Sequence, residues 1–260
     1  MKRSSGVRLC ATAAVSALSL ALVTGCSGTG SKDSADGTNA AKPAAKALSA
    51  AELKKLIIAQ GDVPGHKVGP VEGGLPSKDK VKADDAQCDP LVRALTGIAP
   101  GGPAATTSRM ATEKPPTAHA TSEDDLADGK FEDALKKSMD LDVTVVTLAS
   151  YDGDGAEQAL KSLSGAVKAC ANGFSGEQDG EKGKFTKVTE EKSSGTGDES
   201  VAYTATNDAG KDGALPLHGE AVRHGNTLAV YTTINIGAMM GKKAYTVSAP
   251  VIKAQTTKLK

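Results

Sequence analysis

The chain has no tryptophan, three phenylalanines and four tyrosines among its 260 residues. With so few aromatics, the core is expected to be built from Ala, Val, Leu and Ile. These bury less apolar area per side chain, so a covalent cross-link adds proportionally more. An excess of charge of either sign is also missing, since 31 basic residues face 31 acidic ones. Setting aside Lys2, Arg3 and Arg8 leaves 28 basic against the same 31 acidic residues. Lys54-Lys55, Lys136-Lys137 and Lys242-Lys243 are scattered pairs. They form no basic stripe of the kind that nucleic-acid binding requires, which excludes that class of partner.

Catalytic signatures are missing as well. The chain holds no G-x-S-x-G elbow, no phosphate-cradling G-x-x-x-x-G-K-[ST] and no dinucleotide G-x-G-x-x-G after a strand. Ser175 follows Gly173-Phe174, but Gly176 comes one residue too early for an elbow. Gly195-Thr196-Gly197 reads as a loop. Asp152-Gly153-Asp154 falls short of a calcium loop, which needs more oxygen ligands and a distal bidentate acid. His218, Glu220 and His224 fall on one face of a strand. The two histidines are about 20 Å apart along an extended strand, too far to share one ion, and they read as surface imidazoles. No enzymatic activity, cofactor or metal is expected.

What is present begins at the N-terminus. Lys2, Arg3 and Arg8 precede an apolar run from Leu9 to Val23, interrupted by Thr12, Ser16 and Ser19. A membrane span needs about 20 predominantly apolar residues. A shorter run behind positive charge, with small residues at its end, reads as an export signal. Val23-Thr24-Gly25-Cys26 matches a bacterial lipobox: an aliphatic residue, two small ones, then cysteine. Residues 1–25 are therefore expected to be removed. The thiol of Cys26 then carries a diacylglycerol with palmitate-type chains. Two acyl chains at about 0.8 kcal/mol per buried methylene suffice for stable anchoring without a spanning helix. The expected location is the extracellular face of the cell membrane, with the membrane itself as one partner.

Four cysteines then reduce to two. Cys10 leaves with the signal and Cys26 is acylated, so Cys88 and Cys170 remain in an oxidising compartment with one pairing open to them. A Cys88–Cys170 disulfide is expected. The two lack neighbouring ligands at the spacing a zinc site needs.

Residues 26–48 are rich in Gly, Ser, Ala, Asp and Lys without apolar periodicity, and read as a flexible tether behind the lipidated cysteine. The folded part is expected over residues 49–260. Ser49 and Glu52 form a capping box ahead of Leu53, Leu56, Ile57 and Gln60, with Gly61 as the helix stop. Asp89-Pro90 opens a second helix, with Asp89 as its N-cap. Lys114 to Asp140 reads as a polar, partly helical surface insertion. Asp154 and Glu157 suggest another capping box, before a helix with Ala156, Leu160, Leu163, Val167 and Cys170 on one face. Strands are expected at 66–72, 141–150, 184–191, 200–207, 215–223 and 227–235, and a last helix from Ser248. The predicted fold class is α+β: one domain with an antiparallel sheet of about five to seven strands and helices on one face.

Several stretches taken together carry a resemblance. They are Gly61-Asp62-Val63-Pro64-Gly65, Cys88-Asp89-Pro90-Leu91, the Ser150-Tyr151 strand end leading to the helix closed by Cys170, Gly197-Asp198-Glu199-Ser200, and Ala249-Pro250-Val251-Ile252-Lys253-Ala254-Gln255. The chain resembles actinobacterial (Streptomyces-type) lipoproteins of unassigned role related to the extracellular sensor domain of PknH-type kinases. The resemblance implies a helix-on-antiparallel-sheet domain with a cleft and a sensing role. The chain departs from it in offering one disulfide where the kinase sensor domains are expected to have two, and no binding residue transfers. The functional expectation is a non-enzymatic, sensor-like domain for a small or lipidic ligand. The alternative is a module docking on an envelope protein partner. Met239 and Met240, flexible thioethers between Gly237 and Gly241, are the candidate ligand contacts.

Overall fold

A computed structural model describes residues 45–115, 138–210 and 213–260. The export signal, Cys26, most of the tether and nearly all of the 114–140 stretch lie outside the described residues. Among the described residues nine strands make one sheet: β1 His66–Gly69, β2 Val81–Ala83, β3 Ala105–Glu113, β4 Val143–Ser150, β5 Phe174–Gln178, β6 Glu181–Glu191, β7 Glu199–Asp208, β8 Ala214–His224 and β9 Thr227–Ile234. Their order is β1-β3-β4-β9-β8-β7-β6-β5-β2. Every neighbouring pair is antiparallel. Both edges are short, four residues in β1 and three in β2, which limits the unpaired backbone offered to another chain.

Five α-helices are described: α1 Ala50–Leu56, α2 Asp89–Leu95, α3 Gly155–Ala169, α4 Ile236–Gly241 and α5 Ala249–Lys258. They cover both faces of the sheet, not one. Leu228 and Val230 of β9 pack with α2 and α3, whereas Ala229 and Tyr231 pack with α1 and α5. Alternate side chains of a strand point to opposite faces, so Leu228-Ala229-Val230-Tyr231 must be apolar throughout. Such an unbroken run signals burial on both faces. The sheet also exceeds five to seven strands, because β2, β3 and β5 add to the expected set. β3 is rich in Thr, Ser and Ala and carries Arg109 at its centre, so its apolar signal is weak. β5 is joined to β6 by Asp179-Gly180, where φ is +51° and +90°, the dipeptide that a tight hairpin turn favours.

Local chemistry explains the helix ends. Ser49 Oγ accepts from the Glu52 amide at 3.3 Å and Glu52 Oε2 accepts from the Ser49 amide at 2.7 Å, completing the expected box. α1 stops at Leu56, well before Gly61, since Gln255 Nε2 donates to the Leu56 carbonyl at 2.8 Å and Ile57 turns extended. The N-cap of α2 is Cys88, not Asp89. Asp89 is used elsewhere: Oδ1 accepts from the Ala83 amide at 2.8 Å, tying the helix to β2. No side-chain cap bond forms at Asp154, whose Oδ2 accepts from Gln158 Nε2 at 2.9 Å. The apolar face of α3 is as the spacing predicts, with Ala156, Leu160, Leu163 and Val167 buried. Gly197 must be glycine: its φ is +70°, and a Cβ there would lie 2.5 Å from Arg223 O and from Val222 Cγ1.

Candidate functional site

A disulfide joins Cys88 to Cys170, with Cα atoms 6.0 Å apart. It fastens the start of α2 to the end of α3. The far half of α2 is fixed by Thr232 Oγ1, which donates to the Ala94 carbonyl at 2.8 Å. Arg93 adds two ties, pairing with Asp89 at 3.2 Å and donating through Nε to Val81 O at 3.4 Å. The helix is thereby a fixed wall standing over β5 to β8.

Between that wall and the sheet runs a groove of about 470 Å³. Val92 and Leu95 of α2 form one side, and Phe185 and Leu217 supply apolar surface from the sheet. Phe185 is stacked on its cross-strand partner Phe174, ring centroids 4.7 Å apart. Gly176 and Gly183 are also cross-strand partners within the groove. Their missing side chains leave backbone as part of its lining. A Cβ at Gly176 would come within 3.1 Å of Val92 Cγ2, so the glycine sets how closely α2 approaches β5. Asn207, Glu177 and Lys182 give the mouth polar groups of both signs. Thr96, the one hydroxyl that the described residues bring to the lining, donates to Arg93 O at 2.8 Å. The arrangement suits a ligand with an apolar body and a polar end.

The histidines expected at the surface are partly elsewhere. His218 and Glu220 are buried, because this face of β8 lies under α5 and the 242–248 segment. His218 Nδ1 is 3.0 Å from both Glu191 Oε2 and Thr204 Oγ1, and its ring stands edge-on to Tyr245 at 4.4 Å. Glu220 Oε1 accepts from the Ser194 amide at 2.8 Å and from Ser194 Oγ at 2.6 Å. His224 is half-buried, and that burial lowers its pKa. Asp152 Oδ1 accepts from the Ala47 amide at 2.9 Å. Among the described residues no group of three or more His, Cys, Asp or Glu side chains is placed to hold a metal ion.

Met239 and Met240 lie on α4, which Asn235 caps by accepting from the Ala238 amide at 2.8 Å. Met239 is half-buried, Met240 is exposed, and neither lines the groove described above. Sequence reasoning missed the groove residues, whose contacts run between α2 and four strands far from it in sequence. The Asp179-Gly180 turn was the legible signal for its β5–β6 hairpin.

No family model and no curated protein matches the chain. It is similar to the extracellular domain of PknH from Mycobacterium tuberculosis, at 9% identity over 82% of this chain and 97% of that one, with a TM-score of 0.45. It is also similar to an uncharacterised protein from Mycobacterium smegmatis, the Rv0999 ortholog, at 14% identity over 72% of this chain and 80% of that one, with a TM-score of 0.28. Both TM-scores lie below one half, and neither likeness carries weight for fold or role.

Proposed function

We propose that the chain is an extracytoplasmic lipoprotein whose folded part is a non-enzymatic, sensor-like domain binding a small or lipidic ligand. The single observation that carries the binding half is the apolar groove of about 470 Å³ between α2 and β5–β8, held open by a wall that is fixed at both ends. The one hydroxyl that the described residues bring to it is engaged by Arg93 O, and among them no histidine, cysteine or serine lines it. This favours binding over covalent chemistry. The address rests on the basic, apolar and lipobox segments ending at Cys26. The Cys88–Cys170 disulfide suits an oxidising compartment. No helix among the described residues is long and apolar enough to cross a membrane.

A second reading, a module that docks on an envelope protein, is favoured by α4. Ile236 and Met240 are the large apolar side chains left exposed among the described residues, at 45% and 49%. Thermal unfolding with an extract of the cell envelope separates the two. A ligand that binds the folded state raises the unfolding temperature with concentration. No shift at any extract concentration turns the search to protein partners. Fractionation tests the address: the wild type belongs with the membranes, and Cys26→Ser belongs in the medium without acyl mass.

A further inference from the structure

A second, smaller cavity of about 270 Å³ lies on the opposite face of the sheet, beside the start of α5. His66 and Glu113, direct partners in the β1–β3 register, contribute to its lining together with Asp142. His66 is 6% exposed. Its Nδ1 donates to Pro64 O at 3.0 Å, which in the neutral ring leaves Nε2 as an acceptor, and Nε2 is buried without a partner among the described residues. A buried polar atom left unsatisfied is unfavourable, so an occupant that donates to it is favoured there. The two carboxylates are also half-used. Glu113 Oε2 accepts from the Asp142 amide at 3.3 Å, and Asp142 Oδ1 accepts from Asn235 Nδ2 at 3.0 Å. Among the described residues no donor reaches Glu113 Oε1 or Asp142 Oδ2.

Among the described residues the cavity therefore offers three spare acceptors, and no lysine or arginine lines it. Lys243, nearby in sequence, is committed to Asp140 at 2.7 Å. The side-chain donors Tyr245 Oη and Thr246 Oγ1 are spent on Pro216 O and Val247 O. Ser248 Oγ can accept or donate. Burial raises the pKa of Asp142, and the neighbouring Glu113 charge adds to the rise against the Asn235 hydrogen bond and the His66 ring, which lower it. Val247, Pro250 and the Tyr245 ring supply a compact apolar side. An alkylammonium has three donors and one positive charge, which matches the three acceptors and offsets one of the two carboxylate charges. A metal ion needs its ligands within about 2.0–2.2 Å of one point, and these three do not converge so closely.

We propose that the cavity lined by His66, Glu113 and Asp142 binds the ammonium group of a small primary amine. The test is an amide chemical-shift titration of the full, oxidised chain with n-butylamine hydrochloride, run in parallel with n-butanol and with zinc chloride. The expected result is saturable shifts at residues 66, 113, 142 and 245–248 with the amine and none with the alcohol. Asp142→Asn and Glu113→Gln each weaken the response at least tenfold while amides elsewhere keep their positions. Gly183→Trp, in the groove on the other face, leaves it unchanged. No saturable shift, meaning water alone fills the site, overturns the proposal. So does an equal response to the alcohol, or zinc saturating the site and excluding the amine.

Discussion

Gln255 Oε1 accepts a hydrogen bond from the Ile58 amide at 2.9 Å, while Nε2 of the same side chain donates to Leu56 O. One fully buried amide near the C-terminus thus satisfies two backbone groups at the end of the first helix, 197 and 199 residues away. Gln255→Leu keeps the volume and removes both bonds. Each buried backbone group left unpaired costs about 1–3 kcal/mol, so the variant is expected to lose about 2–4 kcal/mol in denaturant unfolding with an unchanged slope. A loss below 0.5 kcal/mol contradicts this role.

The Cys88–Cys170 bond spans a sequence separation of 82 residues. Chain-entropy arguments give such a loop about 4.5 kcal/mol of stabilisation. Reduction, or Cys88→Ala with Cys170→Ala, is expected to lower the unfolding free energy by about that amount. It also frees the start of α2, so hydrogen exchange should rise along α2 more than along β9.

All four tyrosines resist ionisation: burial raises the pKa of Tyr151, Tyr203, Tyr231 and Tyr245. In the unfolded chain they ionise near pH 10. A raised folded pKa means that the folded state holds more protons above pH 10, so stability is unaffected below that pH and falls as pH rises past it. Absorbance near 295 nm is expected to stay flat through pH 10 and then rise together with unfolding. Tyrosinate forming at pH 10 in a protein that remains folded would show that burial is overstated.

How much of this was legible depends on whether a signal was local. The Ser49 and Glu52 box, the apolar face of α3 and the long strands β6 to β9 were readable, because capping and periodicity are written within a few residues. The second covered face was readable in principle from Leu228-Ala229-Val230-Tyr231, an unbroken apolar run where a one-faced strand alternates. The α1 stop was not, since it depends on Gln255 from the far end of the chain. The role of Asp89 was misassigned for a similar reason: the Ala83 amide of β2 takes the side chain that a local reading gives to the helix cap. Neither cavity had a sequence signature. Val92, Gly176, Phe185 and Leu217 meet only through the α2 packing and the strand register, and His66 meets Asp142 only across β1, β3 and β4.

Gly183 offers a way to close the groove without disturbing the core. It lies in the lining, its φ is not positive, and a Cβ there meets nothing within 4 Å. Gly183→Trp is therefore expected to keep the unfolding temperature within about 2 °C of wild type, since surface substitutions stay within ~0.5 kcal/mol, while filling the space beside Phe185 and Leu217.

That variant sharpens the most direct test of ligand binding in the groove. The full chain, oxidised and incubated with a lipid and metabolite extract of its own envelope, is examined by native mass spectrometry beside Gly183→Trp. A retained mass on the wild type, absent from the variant, is the predicted result and identifies the ligand. A clean unliganded mass for both, or equal retention by both, contradicts the account.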